Sequence, residues 1–368
     1  MLDTNGLQEP PKVPYENVAY PFADHVQLRR AFITINPQNG DLYLFSRDYE
    51  FLTRIRENGE IENLPYPEFG DPSNKFIDVT RDGRYLLFWD VSIGRVHRMD
   101  LETLELERID NSFTHRNMYY PAAYLDEDGT IYAAGGYGFW EFKNLLIRFD
   151  PVSGEWKEIP AANRESLPKA QRGFLVKNEA GFHYLLNNYG TPARHLSPLL
   201  AWQYSFETGK WDQNRKLTRL VSTLQPPFGI SVNDVSIFTS SYTADRQSGH
   251  YGFLSGPDSR DKEFNLLDLQ NQRLFTVSVA SLGLGSVFAA FYSEAHGKWI
   301  ILGANEALAS RNTMIVRTFH FDPDDPLFSE VTGRRSALSL VAGTLLFVLI
   351  LLSAGGLIFR KKITNGIR

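Results

Sequence analysis

GTIYAAGGYGFWEFKNLLIRFDPVSGEWKEIP, residues 129–160, is the stretch whose reading decides the fold. Gly129 closes the acidic turn Asp126-Glu127-Asp128-Gly129, and IYAA follows as a short apolar strand. Gly135 and Gly136 end that strand. A loop with Trp140 leads to LLIRFD, which alternates in the strand period of two, then to the turn PVSG and a second short strand carrying Trp156. Paired glycines let strands crowd together, and a tryptophan fills the gap between neighbouring sheets. The unit is one four-stranded sheet that cannot bury both faces alone.

Working outward, the same unit recurs. First turns stand at NPQNGDLYLF (from Asn36), TRDGRYLLFW (Thr80), DEDGTIYAAGG (Asp126), NEAGFHYLL (Asn178), SVNDVSIFTSS (Ser231) and EAHGKWIILG (Glu294). The markers Gly40, Gly83, Gly129, Gly181, Asn233 and Gly297 lie 43, 46, 52, 52 and 64 residues apart. Asp100, Asp150, Asp268 and Asp322 recur after the third strand, where a carboxylate accepts from turn N–H groups. Fourth strands are expected near 62–65, 105–109, 156–159, 211–214, 274–277 and 328–331. The expected fold class is all-β: a six-bladed β-propeller of four-stranded antiparallel blades over residues 18–331, after an extended leader at 1–17.

The third unit resembles a Kelch repeat. Gly135 and Gly136 stand at the diglycine, Phe149 at the inner aromatic position and Trp156 on the fourth strand, where the resemblance implies burial between blades. Unit four keeps Trp211 but has Asn187 and Asn188 at the diglycine, and the others depart further. A propeller followed by one membrane span also resembles the sensor portion of single-pass bacterial membrane regulators, which implies a recognition role.

Residues 337–359, ALSLVAGTLLFVLILLSAGGLIF, hold no charge over 23 residues. As a helix they span roughly 34 Å, enough to cross a bilayer core. Arg334 and Arg335 precede them, after a linker at 332–336, and Arg360, Lys361, Lys362 and Arg368 lie in the tail at 360–368. We therefore expect a C-terminal transmembrane α-helix. The basic excess after the span favours a cytoplasmic tail and an extracytoplasmic propeller. The opening residues MLDTNGLQEPPKVPYE do not read as a signal peptide. A trimmed N-terminus reconciles the two; the alternative is a tail-anchored protein with a cytosolic propeller.

Composition removes several function classes. The chain has no cysteine, so disulfides, thiol nucleophiles, Cys-ligated metals and a Cys–Tyr copper-radical site are excluded. A net charge of −5 with no basic stripe argues against nucleic acid as a partner. The eight histidines form no ligand-spaced pair, and neither a P-loop nor a dinucleotide fingerprint follows a strand. No cofactor or metal is expected, and no catalytic residue stands out. Thr80-Arg81-Asp82-Gly83 approaches a sialidase turn, but Leu87 stands where the tryptophan belongs.

What remains is a recognition surface. Second-to-third-strand loops and the links between blades gather on one face of a propeller, and binding hot spots favour Tyr, Trp and Arg. The candidate contacts are Tyr120, Trp140, Tyr189, Arg194, His195, Tyr242, Arg246 and Tyr251, with the main patch on blades four and five. The expected ligand is a protein, peptide or glycan. The competing expectation is a carbohydrate-active hydrolase, lyase or epimerase using the axial pocket. With the sixth blade's last strand at 329–331 and a five-residue linker, the loop-rich face of blade six is expected to tilt toward the bilayer.

Overall fold

The structure is a computed structural model. It describes residues 18–21, 32–45, 52–64, 76–111, 117–171, 173–186, 199–224, 244–245, 249–255, 263–304 and 313–331. Six main sheets form a propeller. Blade one runs Phe32–Ile35, Leu42–Phe45, Leu52–Ile55, Ile61–Leu64. Blade two runs Phe76–Val79, Tyr85–Asp90, Arg95–Asp100, Leu106–Arg108. Blade three runs Ala122–Leu125, Ile131–Ala134, Leu146–Asp150, Glu155–Glu158. Blade four runs Gly173–Asn178, Gly181–Leu186, Leu200–Ser205, Lys210–Gln213. Blade five runs Ala244–Asp245, His250–Ser255, Glu263–Asp268, Arg273–Ser278, and blade six Ser286–Ser293, Lys298–Ala304, Thr313–Phe319.

The period of two explains how the blades hold together. In Ile131–Ala134, Ile131 and Ala133 face a core shared with blade two, while Tyr132 and Ala134 face one shared with blade four. Each of the six hydrophobic clusters lies between two neighbouring blades, and the last joins blade six to blade one. The ring is thereby closed. The recurrent aspartates cap third-to-fourth-strand turns: Asp150 Oδ1 accepts from Val152 N at 2.9 Å, and Asp100 Oδ1 from Glu102 N at 2.9 Å.

Three expectations are corrected. The fourth strand of blade six is Val18–Pro21, pairing antiparallel with Thr313–Phe319, and not residues 328–331. Pro323 and Pro326 interrupt the segment after Phe319, and prolines fix φ and remove ladder donors, so the chain does not fold back onto its own blade. Ser329–Glu330 instead adds a fifth strand to blade five beside Arg273–Ser278. Second, His250–Ser255, expected in a loop of blade five, is the strand beside Glu263–Asp268 and pairs with Ala244–Asp245; the expected first turn SVNDVSIF lies outside the described residues. Third, Phe149 is fully buried but Trp156 is only half-buried, its Nε1 donating to Gly94 O of blade two at 2.9 Å.

First-to-second and third-to-fourth connections lie on one face, the turn face; the remaining links lie on the opposite, loop-rich face. A seven-residue helix, Arg215–Val221, follows blade four and buries Leu217 and Val221. Among the described residues no helix is long and apolar enough to cross a membrane, and the expected span at 337–359 lies outside them.

Candidate functional site

The loop-rich rim of blade three carries an uncommon construction. Between the second and third strands the chain makes a small hairpin, Tyr137–Gly138 paired with Glu141–Phe142. Its two tip residues are Phe139 and Trp140, with φ of 52° and 67°. A tight two-residue hairpin turn needs positive φ at both positions, which Asn and Gly accept readily and large aromatics do not. Phe139 and Trp140 are nonetheless 68% and 89% exposed. Asn117 and Tyr120, in the link from blade two, also have positive φ, so four of the six such non-glycine residues among those described meet at this rim. Strained backbone that presents exposed aromatics points to use rather than packing.

The strain is held by the stem. Tyr119 and Tyr137 exchange two backbone hydrogen bonds, 2.8 and 2.7 Å, tying the hairpin to the preceding link. Lys143 N donates to Gly136 O at 2.8 Å, and Gly136 N to Ala170 O at 2.8 Å. Gly138 has no room for a side chain, because a Cβ would collide with the Asn117 carbonyl oxygen. At the diglycine, Gly135 has φ +71° and a Cβ there would strike the Tyr184 hydroxyl of blade four. The tip therefore stands on a braced base.

Charges around the tip cancel locally. Glu141 accepts from Lys143 Nζ at 3.1 Å and from Lys169 Nζ at 3.0 Å. The hydrogen bonds from Lys169 and then Lys143 hold its carboxyl below the usual carboxylate range. Arg164 pairs with Glu158 at 3.0 Å and Glu165 at 3.4 Å. These three cations and two of the carboxylates, Glu141 and Glu165, line a cleft of about 270 Å³ together with Phe139, Phe142 and Leu145. The Lys143 ammonium lies 5.5 Å from the Phe139 ring centroid.

The axis reads differently. Thr34 Oγ1 donates to Asp78 Oδ1 at 2.7 Å between the first strands of blades one and two, with both residues buried. On the turn face Arg81 pairs with Glu127 of blade three and, at 3.5 Å, with Glu294 of blade six. Among the described residues no group of three or more His, Asp or Glu is placed to hold a metal.

Of the sequence candidates, Trp140 and Tyr120 are brought to one rim through the Tyr119–Tyr137 pairing, and the Tyr119 and Tyr120 rings lie 6.4 Å apart. Tyr251 is not a surface contact: it sits on a strand, 6% exposed, in the core between blades four and five. Its neighbour on the strand, His250, is half-buried with its ring 4.9 Å from that of Phe321. Tyr189, Arg194, His195, Tyr242 and Arg246 lie outside the described residues. Phe139, Tyr137, Glu141, Lys143 and Lys169 were not singled out. The alternation Tyr137-x-x-x-x-Phe142 about two central residues was the available signal for the hairpin.

Residues 128–162 match the Kelch motif, one blade of the six. No curated protein matches the chain. Among solved structures it is similar to virginiamycin B lyase from Staphylococcus aureus, at 10% identity over 83% of this chain and 99% of that one, TM-score 0.41. It is also similar to Kuenenia stuttgartiensis hydrazine synthase, at 12% identity over 79% and 82%, TM-score 0.42. A streptogramin B lyase structure aligns at 8% identity over 83% and 97%, TM-score 0.44.

Proposed function

We propose that the chain is a membrane-anchored recognition module that binds a partner through its loop-rich face, centred on the blade-three hairpin, with residues 337–359 as the anchor. The observation that carries this reading is the exposed, strained Phe139–Trp140 tip on its braced stem. A Kelch propeller is in general a scaffold for protein interaction, which agrees with that use. In this proposal Tyr120 lies inside the contact, and Tyr189, Arg194 and His195 of the neighbouring blade-four loop extend it. The enzyme reading needs free acid–base groups at the axial mouth; on the turn face Arg81 is paired with both Glu127 and Glu294.

The test uses the full chain in its membrane. Alanine at both Phe139 and Trp140 is expected to abolish partner capture by crosslinking, while alanine at Val152, 95% exposed on the turn face, leaves it intact. Deleting 337–359 is expected to release the chain from membranes resistant to alkaline extraction. Unchanged capture in the double variant, or retention of the deleted chain, would defeat the respective half of the proposal.

A further inference from the structure

The last described strand and the aromatic hairpin belong to different blades. Arg273–Ser278 is the fourth strand of blade five and runs from the turn face to the loop-rich face. Ser329–Glu330 pairs with it antiparallel, Ser329 opposite Thr276 and Glu330 opposite Phe275. Val331 N then donates to Leu274 O at 2.8 Å, nearer the turn. Through Val331 the chain runs toward the turn face, and Arg273 and Glu330 fasten this strand with paired hydrogen bonds of 3.0 and 2.9 Å. The blade-three hairpin stands on the other face.

The chemistry of the tip narrows the partner further. The knob is convex, so it enters a partner rather than enclosing one. Among the described residues, Lys143, Lys169 and Arg164 pair with Glu141, Glu158 and Glu165, so these six groups carry no net charge to attract phosphates. Glu141 follows Trp140 directly, and a carboxylate held ionised by two lysines opposes entry of the tip into a bilayer. An exposed tryptophan ringed by mutually paired polar groups has the anatomy of an interface anchor with a polar rim.

We propose that the Phe139–Trp140 tip inserts into an apolar pocket on a folded protein partner that meets the loop-rich face. This rests on the recognition reading above and names its partner class. Shape and apolar contact, not charge, select the partner.

Two photo-crosslinking variants of the full chain in nanodiscs, Trp140→p-benzoylphenylalanine and Tyr120→p-benzoylphenylalanine, test it. The protein joined at position 140 is purified and its affinity measured for the unaltered chain and for Trp140→Ala. The expected result is a loss of about thirtyfold or more in the variant, the size of an anchor residue. Between low and high salt, about 50 and 500 mM, the affinity of the unaltered chain should change by less than about threefold. A salt effect above about tenfold, Trp140-dependent binding to phosphatidylcholine–phosphatidylserine vesicles, or binding to protein-free glycans would overturn the partner class. Crosslinking from position 120 but not from 140 would overturn the anchor while leaving recognition on the loop-rich face standing. No crosslink from either would sink both.

Discussion

His183 sits on the second strand of blade four, 6% exposed, its Nε2 3.0 Å from Asn178 Nδ2. Burial pushes its pKa down to about 4. The unfolded chain binds that proton near pH 6.5, so between about 6.5 and 4 the unfolded state holds more protons than the folded one. Stability contributed by the neutral imidazole is full above pH 6.5 and is lost as pH falls through that window, by roughly 3 kcal/mol in all. Urea melts of the unaltered chain and of His183→Gln across this range should differ in slope, the variant being flatter. Parallel slopes would place a charged or solvated imidazole in the fold. The same scale explains the Kelch positions. Gly135 is required by both its φ and the Tyr184 hydroxyl beside it, and Trp156 bridges to blade two through Gly94 instead of filling a sealed void.

The closing elements come from opposite ends of the described chain and have unequal weight. Val18–Pro21 makes four register pairs on Thr313–Phe319 and completes blade six, whose core is shared with blades five and one. Ser329–Glu330 makes two pairs on an edge already four strands deep, and both residues are exposed. At about 1 kcal/mol per hydrogen bond, deleting residues 1–21 should cost about 3–4 kcal/mol, and truncation after 328 less than half that. Thermal unfolding of the two variants checks the ranking. Equal losses, or a larger loss on C-terminal truncation, would mean the ring is held shut from the C-terminal end. Hairpin and strand also differ in purpose: the blade-three hairpin adds strain at the surface, whereas both closing strands relieve exposed edges.

At the scale of the molecule, six apolar seams hold a ring whose two faces have different employment. One face carries short Asp-capped turns and the Arg81 pairs; the other carries the long links and the aromatic tip. The expectation of blade-six loops tilted to the bilayer rested on 329–331 as that blade's last strand, a place taken by Val18–Pro21, and the span itself lies outside the described residues. The absence of cysteine makes a direct test convenient. Single variants Trp140→Cys and Val152→Cys, reconstituted in membranes, are exposed to an impermeant maleimide. Fast labelling is expected at both, since Trp140 and Val152 are 89% and 95% exposed; slow labelling at 140 alone would mean that the tip is covered.

Local pattern alone determined the strands of blades one to four, the sixfold repeat, the Kelch unit at Gly135, Gly136, Phe149 and Trp156, and the turn role of the recurrent aspartates. Alternation and turn chemistry act over ten residues or fewer, and the repeat is their recurrence every 43 to 64 residues. Only tertiary structure decided that Val18–Pro21 completes blade six, that Ser329–Glu330 serves blade five, and that Tyr251 points into a core. Each is a pairing between segments distant in sequence, and an edge strand carries no local mark of the partner it will find. The candidate site was half legible for the same reason. Trp140 announced itself by residue type, but its exposure on a left-handed turn depends on the Asn117 carbonyl, the Tyr119 ladder and Ala170, which meet it only once the ring has closed.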